Sequence, residues 1–305
     1  MTDRKIGVIG DFILDVETYT SSIYYTPEDD TVPILIPNDT KYKFGGAANT
    51  ANTLYEFYDN VKLYCSVNFE EIHKKTNLLT TNKLIVENIR SKLYPIEKHR
   101  IYKNNKLFAR LDYDYGVIPI ANELLENKLN EDKNDLVVVS DYNKGTITDY
   151  KSIFSNNHFT IVDTKGDFFK YTGATIIKCN KKELFKFLNP HTNYYTDLDV
   201  RVFEGYEHLL KQISSIYIVT DGSKGCHFID YEDKKYKYFP AKNIEVVDTI
   251  GAGDAFTAGL ALSLFKAQYI AGSTIMQAID AAMDMAQISV TKRGTNVIRK
   301  HEFKL

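Results

Sequence analysis

An α/β fold is what this sequence predicts: a mostly parallel sheet with helices on both faces, and a second, smaller β-sheet. Three observations carry that expectation. Beyond residue 120, brief and nearly continuous apolar runs recur at Leu136–Val139, Phe159–Val162, Thr175–Lys178 and Ile216–Val219. Such runs mark parallel strands buried on both faces, with helices between them. Before residue 115, polar and apolar positions alternate through Ile13, Asp15 and Glu17, as in strands with one wet face. Finally, Asp248 to Gly259 reads D-T-I-G-A-G-D-A-F-T-A-G, a small-residue turn opening a helix whose Phe256, Leu260 and Leu264 recur every fourth residue.

Size and composition narrow the choices. A chain of 305 residues fits one large α/β domain, here 1–305, and shows neither repeat nor linker. A net charge of −2 and a pI near 6.4 offer no basic field for nucleic acid or an anionic membrane surface. No apolar run is long enough to span a bilayer, and the N-terminus leads directly into a strand. Cys65, Cys179 and Cys226 are odd in number and lack metal-type spacing, as expected of reduced, buried thiols in the cytoplasm.

In order, Lys5–Ile9 is a short strand ending in Gly10-Asp11, with Asp15 four residues on. Carboxylates at a strand end can accept hydrogen bonds from sugar hydroxyls, and equally can be a turn acid and a solvated strand position. A strand is expected over 31–36. Phe44-Gly45-Gly46-Ala-Ala-Asn49 then puts two glycines before a small-residue helix, and Asn49 can offer both donor and acceptor to a polyol. Val61–Val67 reads as a strand and 77–93 as a helix. His99–Lys103 and Lys106–Leu111 flank Asn104-Asn105, a two-residue hairpin turn. Together with the N-terminal strands this hairpin forms the separate sheet, over about 13–44 and 97–114, placed to close over a ligand. Arg110 shares a face with Asp112.

Each later strand ends in polar residues: Ser140-Asp141 with Lys144, Asp163 with Lys165, Asn180 with Glu183, and Thr220 through Gly222, Lys224 and Gly225. Ligands of open α/β sheets bind beyond these carboxyl ends. Asn180 and Glu183 also fit a helix N-cap with its third-position acid, and Glu183 suits Mg²⁺ held through water. A strand at Ile244–Val247 is expected to feed the glycine turn. Backbone N–H groups of Gly251, Ala252 and Gly253 can there converge on an anion, aided by the helix N-terminus. Asp254 is a carboxylate inside that ring of donors. A phosphoryl-transfer site, with Asp254 accepting a proton from an attacking hydroxyl, accounts for it. A glycine-rich helix cap accounts for the turn alone.

The stretches D-T-I-G-A-G-D-A-F at 248–256 and F-G-G-A-A-N at 44–49 resemble the two signatures of the ribokinase/PfkB carbohydrate kinases. The resemblance covers nearly the whole chain. It implies a ribokinase-like three-layer fold, a β lid, and transfer of the ATP γ-phosphoryl group to a sugar-type hydroxyl. Within the family the chain most resembles kinase domains for D-glycero-D-manno-heptose 7-phosphate, through Gly10–Asp15, Leu107–Asp112, Ser140–Gly145 and Val162–Gly166. By position this implies Asp254 as base and Gly251, Ala252 and Gly253 as anion hole. Asp11, Asp15, Gly45, Gly46, Asn49 and Asp141 become sugar contacts. Arg110, Lys144 and Lys165 are cations for a phosphate on the substrate. Asn180, Glu183, Thr220, Gly222, Lys224, Gly225 and Thr249 fall on the nucleotide side, and 281–295 borders the adenine. ATP and Mg²⁺ are the implied cofactors, with K⁺ a further candidate. The resemblance also implies a homodimer through the lid and an adenylyltransferase carried by a separate protein.

Overall fold

The computed structural model describes residues 4–21, 23–76, 85–88, 95–114, 116–148, 150–154, 159–191, 196–267 and 272–304. Strands run β1 (Ile6–Gly10), β2 (Phe12–Thr20), β3 (Ile23–Tyr25), β4 (Pro33–Leu35), β5 (Asp39–Gly46), β6 (Val61–Cys65), β7 (Ile85–Asn88), β8 (Ile96–Lys103) and β9 (Lys106–Tyr113). They continue as β10 (Leu136–Asp141), β11 (Phe159–Thr164), β12 (Ile176–Asn180), β13 (Ile216–Thr220), β14 (Gly225–Asp230) and β15 (Lys235–Pro240). The helices are α1 (Ala47–Phe57), α2 (Phe69–Thr76), α3 (Asn122–Asp132), α4 (Lys151–Phe154) and α5 (Lys181–Leu188), then α6 (Val200–Gly205), α7 (Glu207–Leu210), α8 (Ala252–Ala267) and α9 (Gly272–Val290).

A nine-stranded sheet, in the order β15-β14-β13-β12-β11-β10-β1-β6-β7, forms the middle layer. It is parallel from β7 to β13 and antiparallel at β14 and β15. Successive residues of each central strand point to opposite layers. Leu136 and Val138 pack with α1, α8 and α9, whereas Val137 and Val139 pack with α3 to α7. Burial on both faces is why these strands read as unbroken apolar runs. Helix α8 is buried on nearly every side, from Asp254 through Leu262, more than the one face that its fourfold spacing implied.

The second sheet has the order β5-β2-β8-β9. The Asn104-Asn105 turn holds both residues at positive φ, 47° and 63°, as its sequence predicts. Three expectations need correction. The strand near 31–36 is not part of this sheet: β4 pairs with β3 in a hairpin of its own, and β5 takes the place beside β2. Most of the helix expected over 77–93 lies outside the described residues, and Ile85–Asn88 within it is a strand paired with β6. Ile244–Val247 is not a strand. Val246 and Val247 are about half exposed, and the segment is held by Val247 N–H donating to the Val290 carbonyl at 2.8 Å.

One residue joins the two sheets. Asp11 stands between β1 and β2, where the chain leaves the large sheet for the small one. Gly10, at φ 151°, has room for no side chain there, because a Cβ would lie 2.0 Å from the Ser140 carbonyl oxygen. The return passage from β5 to α1 also touches Asp11, through Ala47 N–H on its carbonyl at 3.1 Å. Among the described residues no helix is long and apolar enough to cross a membrane.

Candidate active site

The carboxyl ends of β10 to β12, the first turns of α1 and the start of α8 meet around Asp254. This carboxylate is 2% exposed. Asn49 Nδ2, one turn into α1, donates to its Oδ2 at 3.0 Å, and the Tyr142 hydroxyl donates to Oδ1. Burial pushes the Asp254 pKa up to about 6, against those two hydrogen bonds, which favour the charged form. A carboxylate of that strength is ionised at neutral pH and still able to hold a proton.

The turn ahead of it is shaped by Asp248. Its Oδ1 accepts Ile250 N–H at 3.1 Å and its Oδ2 accepts Gly294 N–H at 2.9 Å. Gly251 sits at φ 79°, a conformation L-residues avoid. The N–H groups of Gly251 and Gly253 have no protein acceptor among the described residues, while Ala252 N–H closes onto the Thr249 carbonyl at 3.3 Å. Two free donors at the N-terminus of a 16-residue helix are placed to receive an anion.

Beneath this turn lies a charge cluster in which Asp163 and Lys165 were expected, while Lys178 and Thr257 were missed. Lys178 Nζ donates to Asp163 Oδ2 at 2.8 Å and to the Gly253 carbonyl at 3.3 Å, and the Thr257 hydroxyl donates to the same Asp163 oxygen at 3.0 Å. Burial disfavours the Asp163 charge, yet Lys178 and Lys165 hold its pKa below the usual value. A lysine inside the buried run of β12 was the available signal, because an interior charge is costly unless it has a task or a partner. Lys165 lies 2.8 Å from Glu183 Oε1 and 3.8 Å from Asp163 Oδ1. Burial opposes its charge, and these two carboxylates outweigh burial, keeping its pKa above normal.

The other expected residues divide into three groups. Asp11 Oδ2 accepts the N–H groups of Tyr142 and Lys144 at 2.8 and 3.1 Å, and Oδ1 that of Thr146 at 3.2 Å, so it shapes the loop after β10. Asp141 is likewise engaged, by the hydroxyls of Tyr150 and Tyr171 at 2.5 and 2.7 Å and by Asn143 N–H at 2.6 Å. Asp15 is paired with buried Arg100, another residue missed, and Gly45 gives it room, since a Cβ there would lie 2.4 Å from Asp15 Oδ2. Gly46, at φ 58°, turns the chain into α1.

On the nucleotide side, Asn180 and Glu183 form a complete capping box on α5. Register places Asn180 beside Thr220, the residue that starts the loop through Gly222 and Lys224 to Gly225. Lys224 pairs with Asp197 at 2.8 Å. Arg110 and Lys144 have their charges matched by Asp112 and Asp114.

A buried carboxylate beside free helix-terminal donors fits a phosphotransferase site, and the family of the chain is shown by comparison with known proteins. The sequence model of the pfkB family carbohydrate kinases matches residues 126–301, more than half of the chain. The chain therefore belongs to that family of ATP-dependent sugar kinases. It is 32% identical to the bifunctional protein HldE of Campylobacter jejuni subsp. doylei over 98% of its length, and spans 64% of that relative. It is 28% identical to an uncharacterized sugar kinase of Buchnera aphidicola subsp. Schizaphis graminum, over 95% of this chain and 92% of the other. Among solved structures it is similar to ribokinase from Thermotoga maritima, with TM-score 0.72 and 19% identity over 98% and 97% of the chains. It is also similar to phosphofructokinase-2 from Escherichia coli in complex with potassium, with TM-score 0.75 and 16% identity over 98% and 96%. At these identities the solved structures establish the ribokinase-like fold.

Proposed function

We propose that this kinase phosphorylates a sugar that already carries a phosphate, with D-glycero-D-manno-heptose 7-phosphate as substrate and the 1,7-bisphosphate as product. The observation that carries the chemistry is Asp254, buried between Asn49 and Tyr142 at the mouth of the anion turn. The choice of acceptor is supported by the motif resemblance to heptose-phosphate kinases and by the cations around the site.

Asp254 accepts the proton of the attacking hydroxyl as that oxygen bonds to the γ-phosphorus and the bond to the bridging oxygen of ADP breaks. The N–H groups of Gly251 and Gly253 take up charge on the phosphoryl oxygens in transit, with the Lys178 ammonium behind them. Asp163 Oδ1 is buried and has no hydrogen-bond partner, and among the described residues no three metal-binding side chains cluster. Asp163 and Glu183 would hold Mg²⁺ brought by ATP, and the ion would supply neutralisation of phosphate charge. The second sheet acts as the lid. Its outer strand β9 exposes Leu107 and Leu111 on an unpaired edge, which suits pairing with a second copy of the chain.

The test is ADP release with Mg²⁺ and ATP against heptose 7-phosphate, sedoheptulose 7-phosphate, fructose 6-phosphate, fructose, ribose and adenosine. Turnover confined to the heptose phosphate supports the reading. Turnover confined to an unphosphorylated sugar removes the assigned substrate and leaves the kinase.

A further inference from the structure

One face of the second sheet reaches the Tyr142 ring beside Asp254 through Lys98, and its charges can be paired off one by one. Register aligns Lys43, Asp15, Lys98 and Asp112 across the four strands, and two residues further along Lys41, Glu17, Arg100 and Arg110. Side chains in such rows share a face. Four of the five cations have carboxylate partners. Lys43 pairs with Glu17 at 3.0 Å, Arg110 with Asp112 at 2.6 Å, Lys41 with Asp39 at 3.6 Å, and Arg100 with Asp15. Lys98 is the fifth. Among the described residues its ammonium makes no hydrogen bond or ion pair, and it lies 5.0 Å from the centre of the Tyr142 ring.

That position is informative. The hydroxyl of the same ring is bonded to Asp254. Lys165 approaches the ring too, at 5.4 Å, but its charge is already matched by Asp163 and Glu183 on the β11–β12 side. Lys98 comes instead from the sheet that carries Asp15. Burial opposes the Lys98 charge; Asp15 and Asp112 across the sheet favour it, but both are already paired, with Arg100 and Arg110, whose own charges add repulsion. An anion brought by a ligand relieves both costs.

We propose that Lys98 binds the phosphate that the acceptor sugar already carries and thereby selects phosphorylated over unphosphorylated acceptors. Arg110, fixed by Asp112 in the neighbouring row, borders the same anion. The assignment rests on the reading of the acceptor as a sugar phosphate. It moves the specificity-determining charge from Lys144, already paired with Asp114, to a strand position inside the second sheet.

The experiment compares wild type with Lys98→Met, which keeps the stem and removes the charge, Lys98→Gln as a second neutral variant, and Lys98→Arg. KM for ATP and for both forms of the acceptor, with and without its phosphate, is measured for each. Loss of one charge-assisted hydrogen bond predicts a KM for the phosphorylated acceptor roughly 10- to 100-fold higher in the neutral variants. KM for ATP and for the unphosphorylated form stays put, and arginine recovers most of the loss. An unchanged KM for the phosphorylated acceptor in folded Lys98→Met or Lys98→Gln overturns the role of Lys98 and leaves the proposed function standing. A wild-type enzyme that turns over only unphosphorylated sugars overturns both.

Discussion

Asn49 and Asp254 are 205 residues apart in sequence and joined by a hydrogen bond of 3.0 Å. The bond ties the helix after the Gly45-Gly46 pair to the turn after Gly251, so the two signature stretches form one site. Asn49 Oδ1 has no partner. Reversing its amide to offer the oxygen instead of the nitrogen would therefore break no bond at Oδ1.

That freedom makes Asp254→Asn a clean substitution. With Asn49 rotated, the new amide is still bonded, while the base is gone. Turnover should fall by about 10²–10⁴ with ATP affinity retained. Steady-state rates and nucleotide titration check this, and turnover near wild type would remove Asp254 from the chemistry.

The same variant should be more stable than the wild type. A folded-state pKa of about 6 against an ordinary 3.8 means that the folded chain holds this proton more tightly than the unfolded chain does. The contribution of Asp254 thus favours folding at low pH and is lost as pH rises through about 6. At pH 8 the cost is of the order of 3 kcal/mol. Thermal unfolding at pH 8 should show a higher midpoint for Asp254→Asn, with the gap narrowing toward pH 5.

Activity carries the opposite dependence. The base works only when ionised, so kcat/KM should decline below about pH 6. Tyr142→Phe removes a hydrogen bond that favours the ionised form, and should displace this acid limb to higher pH. A limb that does not move would mean that the tyrosine leaves the base untouched.

Lys178→Met should destabilise the protein by about 3–5 kcal/mol, because Asp163 is left buried with less compensation. Adding Asp163→Asn should return much of that loss. Denaturant unfolding of the single and double variants measures the difference.

Gly45→Ala places a methyl group against Asp15 Oδ2 and the Arg100 pair. We expect a loss of about 1–3 kcal/mol in stability and a raised KM for the acceptor, with KM for ATP unaffected. Parallel acceptor and nucleotide titrations separate the two.

How much of this could be read from sequence depends on burial. Strands β10 to β13 were legible because both faces are covered and the pattern is continuous. Strand β5, Asp39–Gly46, was not, because its Lys41 and Lys43 find partners only after the sheet has formed. The segment before the glycine turn looked like a strand from Ile244, Val246 and Val247, yet two of these are among the exposed apolar residues. In the site, Asp254 and the glycines were visible as a local pattern. Lys178, Arg100 and Lys98 were not, since their meaning lies in neighbours brought from other strands.

The position of β1 bears on how the chain reaches this structure. Its five residues precede β6 and β10 in the chain, yet in the sheet they lie between them, and pairing with β10 joins Ile6 to Leu136. A chain growing from its N-terminus can zip β1 to β6 early. The centre of the large sheet must then wait for roughly eighty more residues, with the apolar edge of β1 uncovered. During that interval the nascent chain presents an aggregation-prone border and a natural substrate for chaperones. Ribosome-bound fragments ending before and after β10 should accordingly differ sharply in protease resistance.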